Sequence, residues 1–158
     1  MEMFDGIDGL YAPSVSHRFV TLFTFMGIPS PLDIRFQKIS GLNRTLNTTT
    51  LNQGGENKRN IHLAEKIQHG SLVLERGVMG VTPLTVQFER VLRGDKALYA
   101  NVVILLLNHH NVPVSSWTVS NALPVSWSMG DLDANSNTAM VNRIELKYQN
   151  MRWLGARA

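Results

Sequence analysis

From Met140 to Asn150 the chain changes character at every residue. Met140, Asn142, Ile144, Leu146, Tyr148 and Asn150 fall on one side, and Val141, Arg143, Glu145, Lys147 and Gln149 on the other. Side chains alternate across a strand with a period of two, so this segment reads as a strand with one face on a core and the other in water or along an aqueous channel. Other stretches carry the same kind of signal. Arg18 to Met26 is rich in aromatic and β-branched residues. Asp33 to Ile39 sets Ile34 and Phe36 against Arg35 and Gln37 until the alternation breaks before Ser40-Gly41. Ser71 to Arg76 ends at Gly77, and Asn101 to Leu107, Val114 to Ser120 and Leu123 to Met129 are extended pieces. Gly27 to Pro31 holds two prolines and reads as a turn or loop, His109-His110-Asn111 as a turn, and Gly130 to Asn137 as a polar loop.

One helix is signalled. Thr82 can cap it, Pro83 suits the first position, Leu84, Phe88, Val91 and Leu92 share a face, and Gly94 stops the pattern. A helix of about ten residues does not stand alone in water, so it is expected to cover an open end or edge of a sheet. One helix and roughly six or seven strands make a mainly β fold of barrel-like, packed antiparallel sheets. The chain of 158 residues is the length of one domain, spanning residues 1–158.

Two stretches escape this pattern. Residues 1–16, with Gly6, Gly9 and Pro13, read as an irregular arm whose Phe4, Leu10 and Tyr11 could be buried on a neighbouring molecule. Residues 43–60 interleave five asparagines with Thr45, Thr48, Thr49 and Thr50, carry only Leu46 and Leu51 as apolar anchors, and run on into Gly54-Gly55. So long a structureless connection is unusual inside a compact domain. Either part of it is an extended hairpin, or it projects and is ordered by a partner, or it is a plain flexible surface loop.

Composition narrows the function. Without cysteine the chain has no disulfide, thiolate metal site or thiol nucleophile. Its net charge of +3 includes no block of like charges, and Lys58, Arg59 and His62 are too short a cluster for a nucleic-acid footprint. The amino terminus lacks a basic segment followed by an apolar run, and Val102 to Leu107 is far shorter than the roughly 20 residues that span a bilayer. Cytoplasmic synthesis as a soluble protein, with no membrane insertion of the free subunit, is the expectation. The histidines at 17, 62, 69, 109 and 110 make no metal motif, the serines no nucleophile elbow, Asp131 and Asp133 or Asp5 and Asp8 no calcium loop, and the glycines no phosphate loop. No catalytic, cofactor or metal site is expected. A charged fraction of 17%, against a typical value of about 25%, leaves more neutral surface for contact with other subunits. Trp117, Trp127 and Trp153 are of the type enriched at interfaces, and equally of the type found in cores.

A series of short segments points to a family. They are Arg18-Phe19-Val20, Phe36 to Leu42, Gln53-Gly54-Gly55-Glu56-Asn57, Leu72 to Gly77, Trp117 to Val125, Leu132 to Asn137 and Ile144-Glu145-Leu146. In this order the chain resembles the inner tube proteins of contractile phage tails and of related phage-tail-like injection systems, over about residues 17–150. The resemblance implies a structural subunit, not an enzyme, that forms six-membered rings stacked into a tube inside a contractile sheath, with sheath and baseplate or hub proteins as partners. It implies assembly in the cytoplasm and a final location in a tail or injection particle. It also implies that residues 43–60 are a connector between subunits or rings, through Leu46, Leu51, Gln53, Gly54, Gly55, Glu56 and Asn57. Val78-Met79-Gly80-Val81 stands where the family usually has an aromatic, and the arm of 16 residues is long. Both departures leave open a tube initiator that joins the tube to the baseplate hub. In a tube, Arg143, Glu145 and Lys147 are expected on the lumen, where their mixed signs would pass a protein or DNA cargo without tight binding. A β-barrel module for a small ligand or nucleic acid is the reading from another class, and it needs a concave polar pocket or a basic aromatic face.

Overall fold

The computed structural model of the protein describes residues 18–31, 33–52, 54–55, 59–77, 81–96, 98–135, 137 and 140–155. Among them the chain runs through β1 (Phe19–Phe25), β2 (Ile28–Ser30), β3 (Lys38–Ser40), β4 (Arg44–Leu51), β5 (Ile61–His69) and β6 (Leu72–Arg76). It continues through α1 (Pro83–Leu92), β7 (Ala100–Leu107), β8 (Pro113–Met129), β9 (Asn142–Lys147) and β10 (Asn150–Gly155).

The two extended pieces around Asn121 and Pro124 are a single strand, β8, of 17 residues. Its first half pairs with β7 on one edge and β10 on the other, and its second half pairs with β9. Extra residues on β8 shift the register against β7 between Ala100 and Val102, where Asn121 stands at φ 54°, and against β9 between Pro124 and Ser126. Such bulges bend a strand, and here they carry β8 out of one sheet and into another. β9 and β10 lie end to end along it, and Gln149 at the break still donates its N–H to the Ser120 carbonyl at 3.2 Å. The antiparallel path is β2-β1-β7-β8-β9-β6-β3, with β10 beside β8. We call the part with β1, β2, β7, β10 and the start of β8 sheet A, and the part with β3, β6, β9 and the end of β8 sheet B. Phe23, Val102, Ile104, Val119 and Met151 from sheet A meet Leu72, Leu74, Ile144 and Leu146 from sheet B in one core.

The helix forms where its caps predict it. Thr82 accepts from the Thr85 N–H, the Thr85 hydroxyl closes the box by accepting from the Thr82 N–H, Pro83 takes the first turn, and Gly94 follows the last at φ 89°. Leu84, Thr85 and Phe88 are buried, with the Phe88 ring set edge-on to Trp127 at 6.5 Å. Leu92, expected on the same face and four residues beyond Phe88, is exposed, because the buried side chains of α1, Leu84, Thr85 and Phe88, lie in its first two turns and Leu92 is its last residue. A buried ion pair ties α1 to the sheets. Asp33, fully buried, accepts from Arg76 Nη1 at 3.0 Å, from Ser30 Oγ at 2.9 Å and from the Leu84 N–H at 3.1 Å. Its negative charge therefore sits at the positive end of the helix. Arg76 also reaches Thr82 Oγ1 at 3.3 Å and lies over the Phe36 ring at 5.5 Å.

Several expectations need correction. Residues 28–30 pair with β1 despite Pro29, because a proline is tolerated on an edge strand, and Met26-Gly27, at φ 50° and 84°, makes the tight turn between them. The strand expected over 33–39 shrinks to Lys38–Ser40: Asp33 is held by side-chain bonds, and only Gln37 to Ser40 reaches β6. The last strand runs past Asn150 to Gly155 after the break at Tyr148-Gln149. For residues 43–60 the structure decides among the open readings: their first part is one strand of a hairpin. Arg44–Leu51 pairs with Ile61–His69 in a separate two-stranded ribbon. Polar and apolar residues are mixed on both sides of β4, so no single period betrays that strand.

Candidate assembly surfaces

The ribbon of β4 and β5 stands apart from the eight-stranded sheet, and nearly every residue in it is exposed. A two-stranded hairpin on its own is marginal in water. Its root is nonetheless well fixed. Gly41, at φ 86°, brings the backbone so close to Ser71 that a Cβ there would lie 1.7 Å from the Ser71 carbonyl oxygen. Gly70 donates its N–H to the Asn43 carbonyl at 3.2 Å. The Tyr148 hydroxyl, from the break between β9 and β10, lies 3.2 Å from both the Gly41 and Asn43 carbonyl oxygens, and Arg44 Nη1 donates to the Met151 carbonyl at 3.1 Å. The Tyr148 ring lies against His69 at 5.2 Å. Burial lifts the Tyr148 pKa above the usual 10.0, and the charge of Arg44 pulls the other way. The ribbon thus leaves the body at a set angle.

Of the seven residues that sequence reasoning assigns to this connector, Leu46 and Leu51 are half-exposed on β4, and Gly54 and Gly55 lie in the turn beyond it. Gln53, Glu56 and Asn57 fall outside the described residues. Sequence reasoning missed the other half of the surface, Ile61, Leu63 and Ile67 on β5, and the clamp at Tyr148. The odd spacing of the three aliphatic residues was a usable signal of a strand, whereas the clamp joins positions more than a hundred residues apart.

The two sheets turn different faces outward. On sheet B, Arg143, Glu145 and Lys147 point away from the core, as the alternation requires, and Lys38 and Glu75 join them through the register. Arg143 Nε lies 4.0 Å from Glu75 Oε1. On sheet A the outward row runs through Val20, Leu22, Val103, Leu105 and Leu154, with Ser116 and Thr118 between and Arg152 beside them. One is a hydrated surface of mixed sign, and the other is a largely uncharged one.

An opening of about 560 Å³ between the sheets is walled by Phe19, Ile39, Leu42, Leu106 and Trp117, with Gln37 and Lys38 at hand. Its lining is apolar and lacks the convergent polar groups of a ligand site. Among the described residues, no group of three His, Asp or Glu side chains could hold a metal ion, and no helix is long and apolar enough to cross a membrane.

Residues 16–152 match the family of the T4-like virus tail tube protein gp19. Among solved structures, a chain of the six-fold symmetrised baseplate of the anti-feeding prophage is similar at 60% identity and a TM-score of 0.84, over 91% of this chain and 97% of that one. A chain from the extended sheath–tube complex of an extracellular contractile injection system, PVC, shares the fold at 20% identity and a TM-score of 0.79, over 96% and 98% of the two chains. A chain from the tube-terminating cap of the anti-feeding prophage does so at 24% identity and 0.75, over 91% and 92%. No curated protein sequence matches.

Proposed function

Because the chain belongs to the family of T4-like virus tail tube proteins, and is thus a structural tube subunit and not an enzyme, we propose that it forms a six-membered ring at the baseplate end of the tube of a contractile injection system. The observation that carries this reading is the 60% identity, over nearly the whole of both chains, to a subunit of a six-fold symmetrised baseplate. A ring also accounts for the sheet edges. β2, β3 and β10 leave backbone donors and acceptors at the ends of the sheets. Closing a ring pairs or covers such edges, and a barrel-like wall then arises between copies, since among the described residues the strand path β2-β1-β7-β8-β9-β6-β3 has two ends.

In this ring the β4–β5 hairpin is the contact between subunits, through Leu46, Leu51 and the turn around Gly54 and Gly55. Its poor prospects as a free ribbon and its five half-exposed aliphatic side chains support that role. The outward face of β9 lines the lumen. Arg143, Glu145 and Lys147 alternate in sign, so a polyanion or a protein effector meets neither a trap nor a strong barrier there. The largely uncharged outward row of sheet A is better suited to burial against sheath or hub proteins.

Electron microscopy of the full, tag-free chain across a concentration series tests the placement. Isolated six-fold rings that bind the cognate hub protein are expected. Long tubes growing without a hub would instead assign the chain to the repeating wall of the tube, and monomers that stay monomeric with the hub added would overturn the ring.

A further inference from the structure

The layer between the two sheets is closed at the end where β1 finishes. There α1 packs across it, with Pro83 beside Phe25 and the Phe88 ring against Trp127. At the start of β1, about 20 Å back along the strand, the opening of about 560 Å³ separates Phe19, Ile39, Leu42, Leu106 and Trp117. All five are half-buried. Phe19, Leu106 and Trp117 continue the inward rows that run through Phe23, Val102 and Val119, which are fully buried nearer α1. They are core positions that lack a covering layer. The chain enters the fold at this mouth. The Arg18 carbonyl accepts from the Leu107 N–H at 2.8 Å, and Arg18 Nη1 donates to the His109 carbonyl at 2.8 Å, so residue 18 is held at the rim beside Phe19. Residues 1–17 precede it and lie outside the described part of the chain. They include Phe4, Ile7, Leu10 and Tyr11, carboxylates at Glu2, Asp5 and Asp8, and no Lys or Arg.

We propose that the amino-terminal segment folds back over the opening of its own chain, seats Leu10 and Tyr11 between the sheets, and so closes the end of the core opposite α1. Reach, charge and tethering select this occupant. Tyr11 stands seven residues before Arg18, a tether of up to about 25 Å, against a spacing of about 10 Å between packed sheets. Leu10 and Tyr11 are the nearest pair of large apolar side chains to the mouth on that tether. The rim carries the cations Arg18 and Lys38, and Glu75, which opposes Lys38 in the ladder, already lies 4.0 Å from Arg143. A segment with carboxylates alone is drawn to such a rim while its apolar side chains enter the gap. Fastened beside the mouth, it is present there at an effective concentration of millimolar order, so it outcompetes the same segment of a free second copy. The inference goes beyond the reading of the protein as a ring subunit and does not depend on it, because the contact forms within one chain.

Photo-crosslinking of the full chain tests the contact. Tyr11→p-benzoylphenylalanine keeps an aromatic ring at the position, and isotopically light and heavy chains carrying it are mixed before assembly and irradiated. Crosslinked peptides are expected to join position 11 to the walls at Leu42, Leu106 or Trp117, each pair wholly light or wholly heavy. Pairs of mixed isotope at the same walls would put the segment in a neighbouring copy's opening and overturn the proposal. Crosslinks to other surfaces, or none, would overturn it too. Leu10→Asp with Tyr11→Asp gives a reading without the probe. Losing the burial of two large apolar side chains should speed hydrogen exchange in β3 and at the start of β1 by at least about tenfold, and leave α1 unchanged. Wild-type rates in the variant would show that the segment covers nothing there. A rise that includes α1 equally would mark a general loss of stability, not an uncovered end, and would count against the proposal as well.

Discussion

The helix and the hairpin are the two elements that do not belong to the eight-stranded sheet, and they are stabilised in opposite ways. The helix is tied to both sheets by buried groups: Asp33 and Arg76 at its first turn, and Leu84 and Phe88 in the core. The hairpin is fixed only at its root, and its length is exposed on both sides. Stability of the first is a property of one chain. The second is left uncovered by its own body along its length, while the fold fixes the angle at which the ribbon departs.

Breaking the helix should therefore cost the monomer most. Asp33→Ala leaves Arg76 buried without its partner, and about 3–5 kcal/mol should be lost in urea unfolding, as is usual when one member of a buried pair is removed. Phe88→Ala should cost a similar amount, about 3–5 kcal/mol, since its side chain is 1% exposed; a loss below about 1 kcal/mol would show that the helix face bears little of the core. At the hairpin root the effects shrink. Gly41→Ala should cost at least about 1–2 kcal/mol from its left-handed backbone alone, and the approach to Ser71 adds to this.

Tyr148→Phe removes the clamp on two carbonyls and should cost about 1 kcal/mol while widening the range of hairpin orientations seen in assembled rings. The same hydroxyl gives a pH signature. Its pKa is raised on folding, so its contribution is complete below pH 10.0 and is lost as the pH climbs through the raised value. Tyrosinate absorbance should show a step above pH 10.0 from Tyr148, and this step should be missing in Tyr148→Phe. The smallest effect belongs to the ribbon itself. Leu46→Ser or Leu63→Thr should change monomer stability by no more than about 0.5 kcal/mol, and a larger loss would mean that the hairpin is stabilised by its own body after all.

The same contrast explains what could be read from the sequence. β9 was legible because one of its faces is buried and the other is charged, and α1 because Thr82, Pro83 and Gly94 act locally. β2 was not legible as a strand, and β4–β5 only as one of the open readings of residues 43–60, a hairpin. Burial writes the period of two, and these strands bury little, while Pro29 and the asparagine-rich composition argue for loops. The bulge at Glu65 and Lys66 divides between two faces the aliphatic residues of β5 that their odd spacing alone would put on one. The outward face of Arg143, Glu145 and Lys147 followed from spacing alone. The pairing of Asp33 with Arg76 and of Tyr148 with the hairpin root did not, since each joins distant positions by geometry that no local pattern encodes.

β8 has a mechanical consequence. A tube driven lengthwise must carry compressive and shearing load through each subunit, and many two-sheet proteins could yield by sliding one sheet over the other across the greasy layer between them. Here a single covalent strand of 17 residues is woven into both sheets, so such sliding must first tear the ladders on either side of Asn121. Those ladders would be loaded along their length, with many bonds resisting together and none unzipping singly. The subunit is braced against shear by its own backbone, and its shape under thrust is set by the bend in one strand.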